Sequence, residues 1–221
     1  VLRVKGNRVI VCGRNATKLH ALRQQEPEIV TYQCDIANDT EQVRLIETLR
    51  RFHPDLNILI NNAGIQFNYS FADGTDHLAR IEDEVTTNLL AQMKLTARLV
   101  PRLMSQPRSA IVNVTSALAL VPKENAPVYC ATKAAMRNFT QALRYQLEAT
   151  PIAVFEIIPS LVETAMTQGR GSIKISPERL ADEAMRAMAS DRYEVRIGKT
   201  KLLFALYRLV PAMAARMVRN G

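Results

Sequence analysis

Short β-branched runs alternate with stretches of helical period along almost the whole chain, and that alternation leaves few folds open. Strands are predicted at 8–12, 29–33, 56–60, 110–114, 152–158 and 193–198. Most are apolar on both faces, as strands buried in a parallel sheet are. Helices are predicted at 16–25, 40–52 and about 76–104, then from Pro127 and from Ser176 onward. In the second of these, Val43, Ile46, Leu49 and Phe52 recur at helical spacing. Pro101 lies late in the third and predicts a kink or an end there. Pro127 suits a first helical turn. Ser176-Pro177-Glu178 reads as N-cap, first-turn proline and first-turn acid. Strands and helices in this order predict an α/β fold: a doubly wound parallel sheet in three layers, α/β/α.

Such a sheet opens with a strand, a glycine-rich turn and a helix whose N-terminus receives a pyrophosphate. The glycines fall at 6, 13, 64, 74, 169, 171, 198 and 221, and neither G-x-x-x-G-x-G nor G-x-G-x-x-G can be drawn through them. Gly169-Arg170-Gly171 is a lone G-x-G after a loop and is set aside. Residues 1–6 read as the end of a helix with its glycine stop. The expectation is that the first strand and the glycine-rich turn, missing from this sequence, lie upstream, within roughly 25–30 residues.

The 221 residues are 48% hydrophobic, enough for one domain with a full core. Residues 199–221 form a basic apolar extension of that domain. No run of apolar residues is long enough to span a bilayer. The net charge is +8, but the cations are scattered and only 5% of residues are aromatic, which argues against a base-stacking nucleic-acid surface. Cys12, Cys34 and Cys130 have no metal-binding spacing, and no HExxH is present. They are expected to be reduced, buried thiols of a cytoplasmic protein. The extension invites three uses: docking on a membrane surface, covering a cleft, or forming a dimer interface. The expectation is that it packs on the protein itself.

Three residues carry the chemistry. Tyr129 and Lys133 are four apart on a predicted helix and so share a face. Ser116 lies just past a predicted strand. A phenol ionises at about 10, and bringing it to about 7 takes roughly 4 kcal/mol in favour of phenolate. A nearby ammonium supplies part of that, and a serine hydroxyl can hold a substrate oxygen. Each residue alone has a plain structural use: a wet-tipped helix tyrosine, a solvated lysine, a turn serine. The spacing of all three is what favours a proton-transfer site.

In this order the elements resemble the short-chain dehydrogenase/reductase family over nearly the whole chain, and in detail a bacterial branch near the lipoteichoic-acid operon oxidoreductases. Asn61-Asn62-Ala63-Gly64 after a strand resembles that family's N-N-A-G motif, and Tyr129 with Lys133 its Y-x-x-x-K pair, with Ser116 thirteen residues earlier. The resemblance implies a Rossmann-like fold with Ser116, Tyr129, Lys133 and Asn88 as the catalytic set. It implies that Asn88 fixes a proton-relaying water, whereas a mid-helix asparagine can equally cap a backbone carbonyl. It further implies cofactor contacts from Asn62, Ala63, Gly64, Tyr129, Lys133, Pro159, Val162 and Thr164. Ser160 follows Pro159 where the family carries glycine.

The cofactor is read from the first visible strand. An acid at its end would bind the ribose 2′-hydroxyl of NAD. Here the sequence is Gly13-Arg14-Asn15, and a guanidinium can fork a 2′-phosphate. NADP(H) is therefore expected, with Arg14 and Asn15 at the phosphate, and Asp35 and Ile36 flanking the adenine. Asp35 as a turn former is the alternative. The reading is an NADP(H)-dependent oxidoreductase interconverting a carbonyl and an alcohol, acting on a small molecule as a homodimer or homotetramer. Loops 66–74, 118–125 and 166–175 are expected to line the substrate pocket. The alternative is a catalytically silent nucleotide-sensing or scaffold protein on the same fold.

Overall fold

The computed structural model describes residues 2, 6–169 and 174–219. Of the helix end expected at 1–6 only residue 2 and Gly6 are described, Gly6 with φ +79°; the lone Gly-x-Gly beyond residue 169 and part of the 166–175 loop lie outside the described residues. Six strands form: β1 (Ile10–Gly13), β2 (Val30–Gln33), β3 (Ile58–Asn61), β4 (Ser109–Val114), β5 (Ile152–Pro159) and β6 (Glu194–Ile197). Every pairing is parallel, in the orders β1-β2 and β3-β4-β5-β6. The helices are α1 (Ala16–Gln25), α2 (Asp39–Phe52), α3 (Leu78–Val85), α4 (Ala91–Met104), α5 (Pro127–Gln146), α6 (Pro177–Ala189), α7 (Thr200–Leu209) and α8 (Pro211–Arg219).

The alternation of strand side chains sorts the core into two layers. Ile111 and Val154 face Leu45, Leu49, Leu95, Leu99 and Leu143. Their neighbours Val112, Phe155 and Ile157 face the other way, toward Ala187 of α6 and the β6 residues Val195 and Ile197. Short polar side chains start the helices. Asn15 Oδ1 accepts from Lys18 N–H at 2.9 Å, Asn38 Oδ1 from Glu41 N–H at 3.1 Å, and Ser176 Oγ from Arg179 N–H at 3.2 Å.

Two expectations are corrected and one is narrowed. Of the kink or end expected at Pro101, the end does not fall at the proline itself: α4 runs on to Met104, the bound expected for this helix. Leu99 and Leu103, buried on either side of the proline, hold the helix against the sheet. The helix expected at 76–104 is also interrupted: Thr86–Leu90 forms a π-turn between α3 and α4. Finally, Cys34 and Cys130 are buried but Cys12 is exposed. Cys12 lies on β1, whose edge faces the edge of β3 across a cleft of about 420 Å³. No hydrogen bond joins the two edges among the described residues, so β1 is left uncovered. Ile60 of β3 is likewise 40% exposed.

Candidate active site

The parallel register brings three chain segments to one edge of the sheet. Asn61 pairs with Asn113, and Asn113 with Glu156, so residues 62–64, 115–116 and 160 all leave just beyond that level. Ser116 sits outside β4 as the N-cap of a short 3₁₀ turn, its Oγ accepting from Leu118 N–H at 3.1 Å. The turn reading of this serine is therefore realised. Its hydroxyl proton is not used by that bond and can be donated to a substrate oxygen.

Helix α5 faces the same edge. Its proline occupies the first turn, as the sequence indicates. Tyr129 is half-buried and Lys133 is 4% exposed. The Lys133 ammonium donates to the Val114 carbonyl at 2.8 Å and lies 5.8 Å from the centroid of the Tyr129 ring. Burial pushes this lysine down to about 8 from its ordinary 10.5. At neutral pH it still carries its charge, next to the phenol. The solvated-lysine alternative does not hold for Lys133.

Asn88 occupies the π-turn and is fully buried. Its Oδ1 accepts from Ile65 N–H and its Nδ2 donates to Ile65 C=O, both at 2.8 Å, with a further bond to Thr132 Oγ1 at 3.3 Å. It clamps the backbone just after Gly64, which realises the alternative of an asparagine bonded to a neighbouring backbone. A methyl group at position 64 would lie 3.4 Å from Asn88 Oδ1 and 3.8 Å from Lys133 Nζ. Glycine there keeps the approach to the ammonium clear.

The remaining predicted positions follow strands of both sheets. Asn62 and Ala63 are exposed, and the Ala63 carbonyl accepts from Gln92 Nε2 at 2.7 Å. Pro159 closes β5, Val162 bridges to Ile175, and Thr164 caps a 3₁₀ turn. Arg14 is exposed after β1, and its side chain makes no ion pair among the described residues. Asn15 spends its Oδ1 on the cap of α1. Asp35 accepts from Ala37 N–H at 2.9 Å, the turn role set out as its alternative, and Ile36 packs against the core. Two of the expected pocket loops meet directly, Tyr69 N–H donating to Asn125 C=O at 3.0 Å.

A dinucleotide would meet a partial complement. The residues around Lys133, Gly64 and Ser116 fit a nicotinamide riboside: an unobstructed glycine, a buried ammonium and a hydroxyl lie at one sheet edge. Arg14 fits a phosphate on the adenosine ribose. No glycine-rich turn among the described residues offers its N–H groups to the pyrophosphate.

The sequence profile of the short-chain dehydrogenases matches residues 1–174. This chain belongs to the short-chain dehydrogenase family. Over 163 residues it is 45% identical to the uncharacterized oxidoreductase DltE of Bacillus subtilis, an alignment covering 74% of this chain and 65% of that protein. The chain thus spans just under two thirds of that relative's length. An NADP-dependent 3-hydroxy acid dehydrogenase of Schizosaccharomyces pombe is 35% identical over 144 residues, 63% of this chain and 53% of its own. Among solved structures, a short chain dehydrogenase of Burkholderia cenocepacia in complex with NADP superposes with a TM-score of 0.84 at 26% identity, covering 98% of this short-chain dehydrogenase and 89% of that chain. The fold expected from the sequence and the family resemblance both stand.

Sequence reasoning missed the polar framework under this site. Asn61 Nδ2 donates to Asn113 Oδ1 at 2.8 Å and to Thr96 Oγ1 at 3.0 Å, and Asn113 Nδ2 donates to Thr140 Oγ1 at 2.8 Å. All four residues are buried. The signal was present: an asparagine inside the apolar run Ala110-Ile111-Val112-Asn113-Val114 must find a buried partner.

Proposed function

We propose that this short-chain dehydrogenase is an NADP(H)-dependent oxidoreductase that interconverts a carbonyl and an alcohol, with Tyr129 as the general acid and base. The observation that carries this reading is the buried Lys133 ammonium, fixed 2.8 Å from the Val114 carbonyl and 5.8 Å from the Tyr129 ring. It favours the phenolate, and so a proton that leaves and returns near neutral pH. Bound nicotinamide supplies or takes the hydride. In the reducing direction, Tyr129 O–H gives its proton to the oxygen that gains negative charge. Ser116 O–H donates to the same oxygen and steadies that charge. Asn88 holds the loop behind Gly64 in place while this happens. Loops 66–74 and 118–125 border the substrate, and we take the working assembly to be a homodimer or homotetramer.

The preference for NADP rests on Arg14, a cation with no ion pair among the described residues, where an NAD-binding site would carry an acid. Names among the relatives agree, since one is an NADP-dependent 3-hydroxy acid dehydrogenase and one solved structure holds NADP. The test is NADPH and NADH titration by nicotinamide fluorescence, followed by turnover on a panel of ketones and aldehydes. Tyr129→Phe is expected to bind NADPH within about twofold of wild type and to lose at least a hundredfold in kcat. Arg14→Ala is expected to weaken NADPH by about tenfold or more and to leave NADH unchanged. Unchanged turnover in Tyr129→Phe refutes the acid–base assignment. Binding without turnover across the panel assigns the silent, nucleotide-sensing alternative.

A further inference from the structure

The C-terminal helices fulfil one expectation and leave a remainder. Their inner faces pack on the protein: Leu203 and Ala214 are buried against Val121, in the segment that follows Ser116. Their outer faces are apolar and uncovered. Leu202 is 68% exposed, Leu209 79%, Met213 54% and Met217 59%. Leu202 and Leu209 are seven residues apart and so share one stripe of α7, and Met213 and Met217, four apart, share one of α8.

The charge around these side chains has one sign. After Glu194 the sequence contains no acid and six bases: Arg196, Lys199, Lys201, Arg208, Arg216 and Arg219. Two of the six have partners, Arg196 on Glu194 and Arg219 on Glu124. The other four make no ion pair among the described residues. Beside α7, a cavity of about 370 Å³ between α6 and β6 adds Arg186 and Arg192 to Lys201 on its wall. The two carboxylates of that wall already have cations: Glu183 pairs with Arg179, and Glu194 with Arg137 and Arg196. The three facing cations make no ion pair among the described residues.

We infer that this face docks on an anionic lipid bilayer. The unpaired cations meet lipid phosphates, at the surface and in the α6–β6 cavity, while Leu202, Leu209, Met213 and Met217 enter the headgroup boundary. A second copy of the chain is the poorer occupant. A two-fold contact would set this surface, whose carboxylates are already paired and whose remaining cations are not, against itself, like charge on like.

The test is co-sedimentation of the intact chain with vesicles of phosphatidylcholine, alone or mixed with phosphatidylglycerol. Binding is expected on the mixed vesicles only, and is expected to fall at least tenfold when salt shortens the screening length to about 3 Å. Lys201→Gln with Arg208→Gln is expected to lower partitioning by about twenty-five-fold, roughly fivefold per cation. Leu202→Ser with Leu209→Ser is expected to lower it at least tenfold. Both pairs are solvent-facing, so an unchanged melting curve separates lost docking from lost fold. Equal binding to neutral vesicles, no binding to either kind, or binding that ignores both double variants overturns the inference. So does an oligomer that the variants dissociate while vesicles go unbound, which would make this face an interface between copies.

Discussion

Replacing Lys133 by methionine isolates the electrostatic element on which the proposed chemistry rests. The ammonium lies 5.8 Å from the Tyr129 ring centroid, taken here as the position of the phenolate charge. At that separation and an effective dielectric of about 20, a unit positive charge favours phenolate by about 3 kcal/mol. That corresponds to about two pH units. Methionine keeps most of the stem volume and removes the charge. The tyrosinate band in the ultraviolet reads the outcome directly and needs no substrate. Six tyrosines contribute to it, so the Tyr129→Phe protein is subtracted to leave one. The Tyr129 step is expected to move upward by about two pH units in Lys133→Met. Because burial pushes Lys133 down to about 8, its charge is complete only below that pH, and the two proteins should diverge most there. In turnover, oxidation of an alcohol at neutral pH is expected to slow by about a hundredfold, as the base is deprotonated that much less often. A tyrosinate step that stays within half a pH unit of wild type, in a variant with an unaltered melting curve, refutes the account.

The same lysine sets a pH dependence of stability. Its value falls from 10.5 to about 8 on folding; between those values the unfolded chain holds a proton that the folded chain lacks, so stability rises with pH across that window, by up to about 3 kcal/mol. Urea midpoints of wild type minus Lys133→Met, from pH 7.5 to 10.5, should show that slope, and a flat difference would contradict the burial of the charge. Gly198 has φ +70°, and a Cβ there would collide with the Ser160 hydroxyl. Gly198→Ala is expected to cost at least about 2 kcal/mol in a thermal melt, and adding Ser160→Gly should recover the collision but leave about 1 kcal/mol of backbone cost. Arg137→Met strands the buried Glu156 carboxylate, which Arg137 now meets at 3.1 Å, and is expected to cost about 3 kcal/mol in a urea titration.

Much of the architecture was legible because its signals are local. The β-branched runs, the proline of α5 and the Ser176-Pro177 start of α6 each act within a few residues, and each appears where expected. The misses come from forces that a single stretch of sequence does not contain. Pro101 lacks an N–H and disfavours the helix locally, yet Leu99 and Leu103 are buried around it, and burying two leucines is worth about 3–6 kcal/mol, at least what the proline costs. The π-turn at Thr86–Leu90 adds no new residue type to the pattern, so the 3.6-residue period reads straight through it. Within the site, the Tyr129–Lys133 face follows from helical spacing. That Lys133 reaches across to Val114, or that Asn88 grips both polar groups of Ile65, depends on contacts between residues 19 and 23 apart.

The site also explains why α5 is less apolar on its inner face than a buried helix needs to be. At successive turns this helix sends a polar side chain to the adjoining strands. Lys133 bonds the end of β4 through Val114, Arg137 bonds Glu156 of β5, Thr140 accepts from Asn113 of β4, and Arg144 Nε donates to the Val154 carbonyl at 2.9 Å. Glu156 in turn accepts from Thr115 Oγ1 at 2.7 Å, next to Ser116. Apolar packing alone would let the helix slide by a fraction of an ångström at small cost, since dispersion contacts are shallow and non-directional. Hydrogen bonds are directional, and a buried one that loses its partner costs about 1–3 kcal/mol. Four of them, a turn apart, fix both the rotation and the height of α5 over the sheet. Ser116 is carried by the strand and Tyr129 by the helix, so this polar stripe is what holds their separation constant. Cutting it far from the chemistry, at Arg137 or Thr140, should therefore loosen the Ser116–Tyr129 geometry as well as the fold.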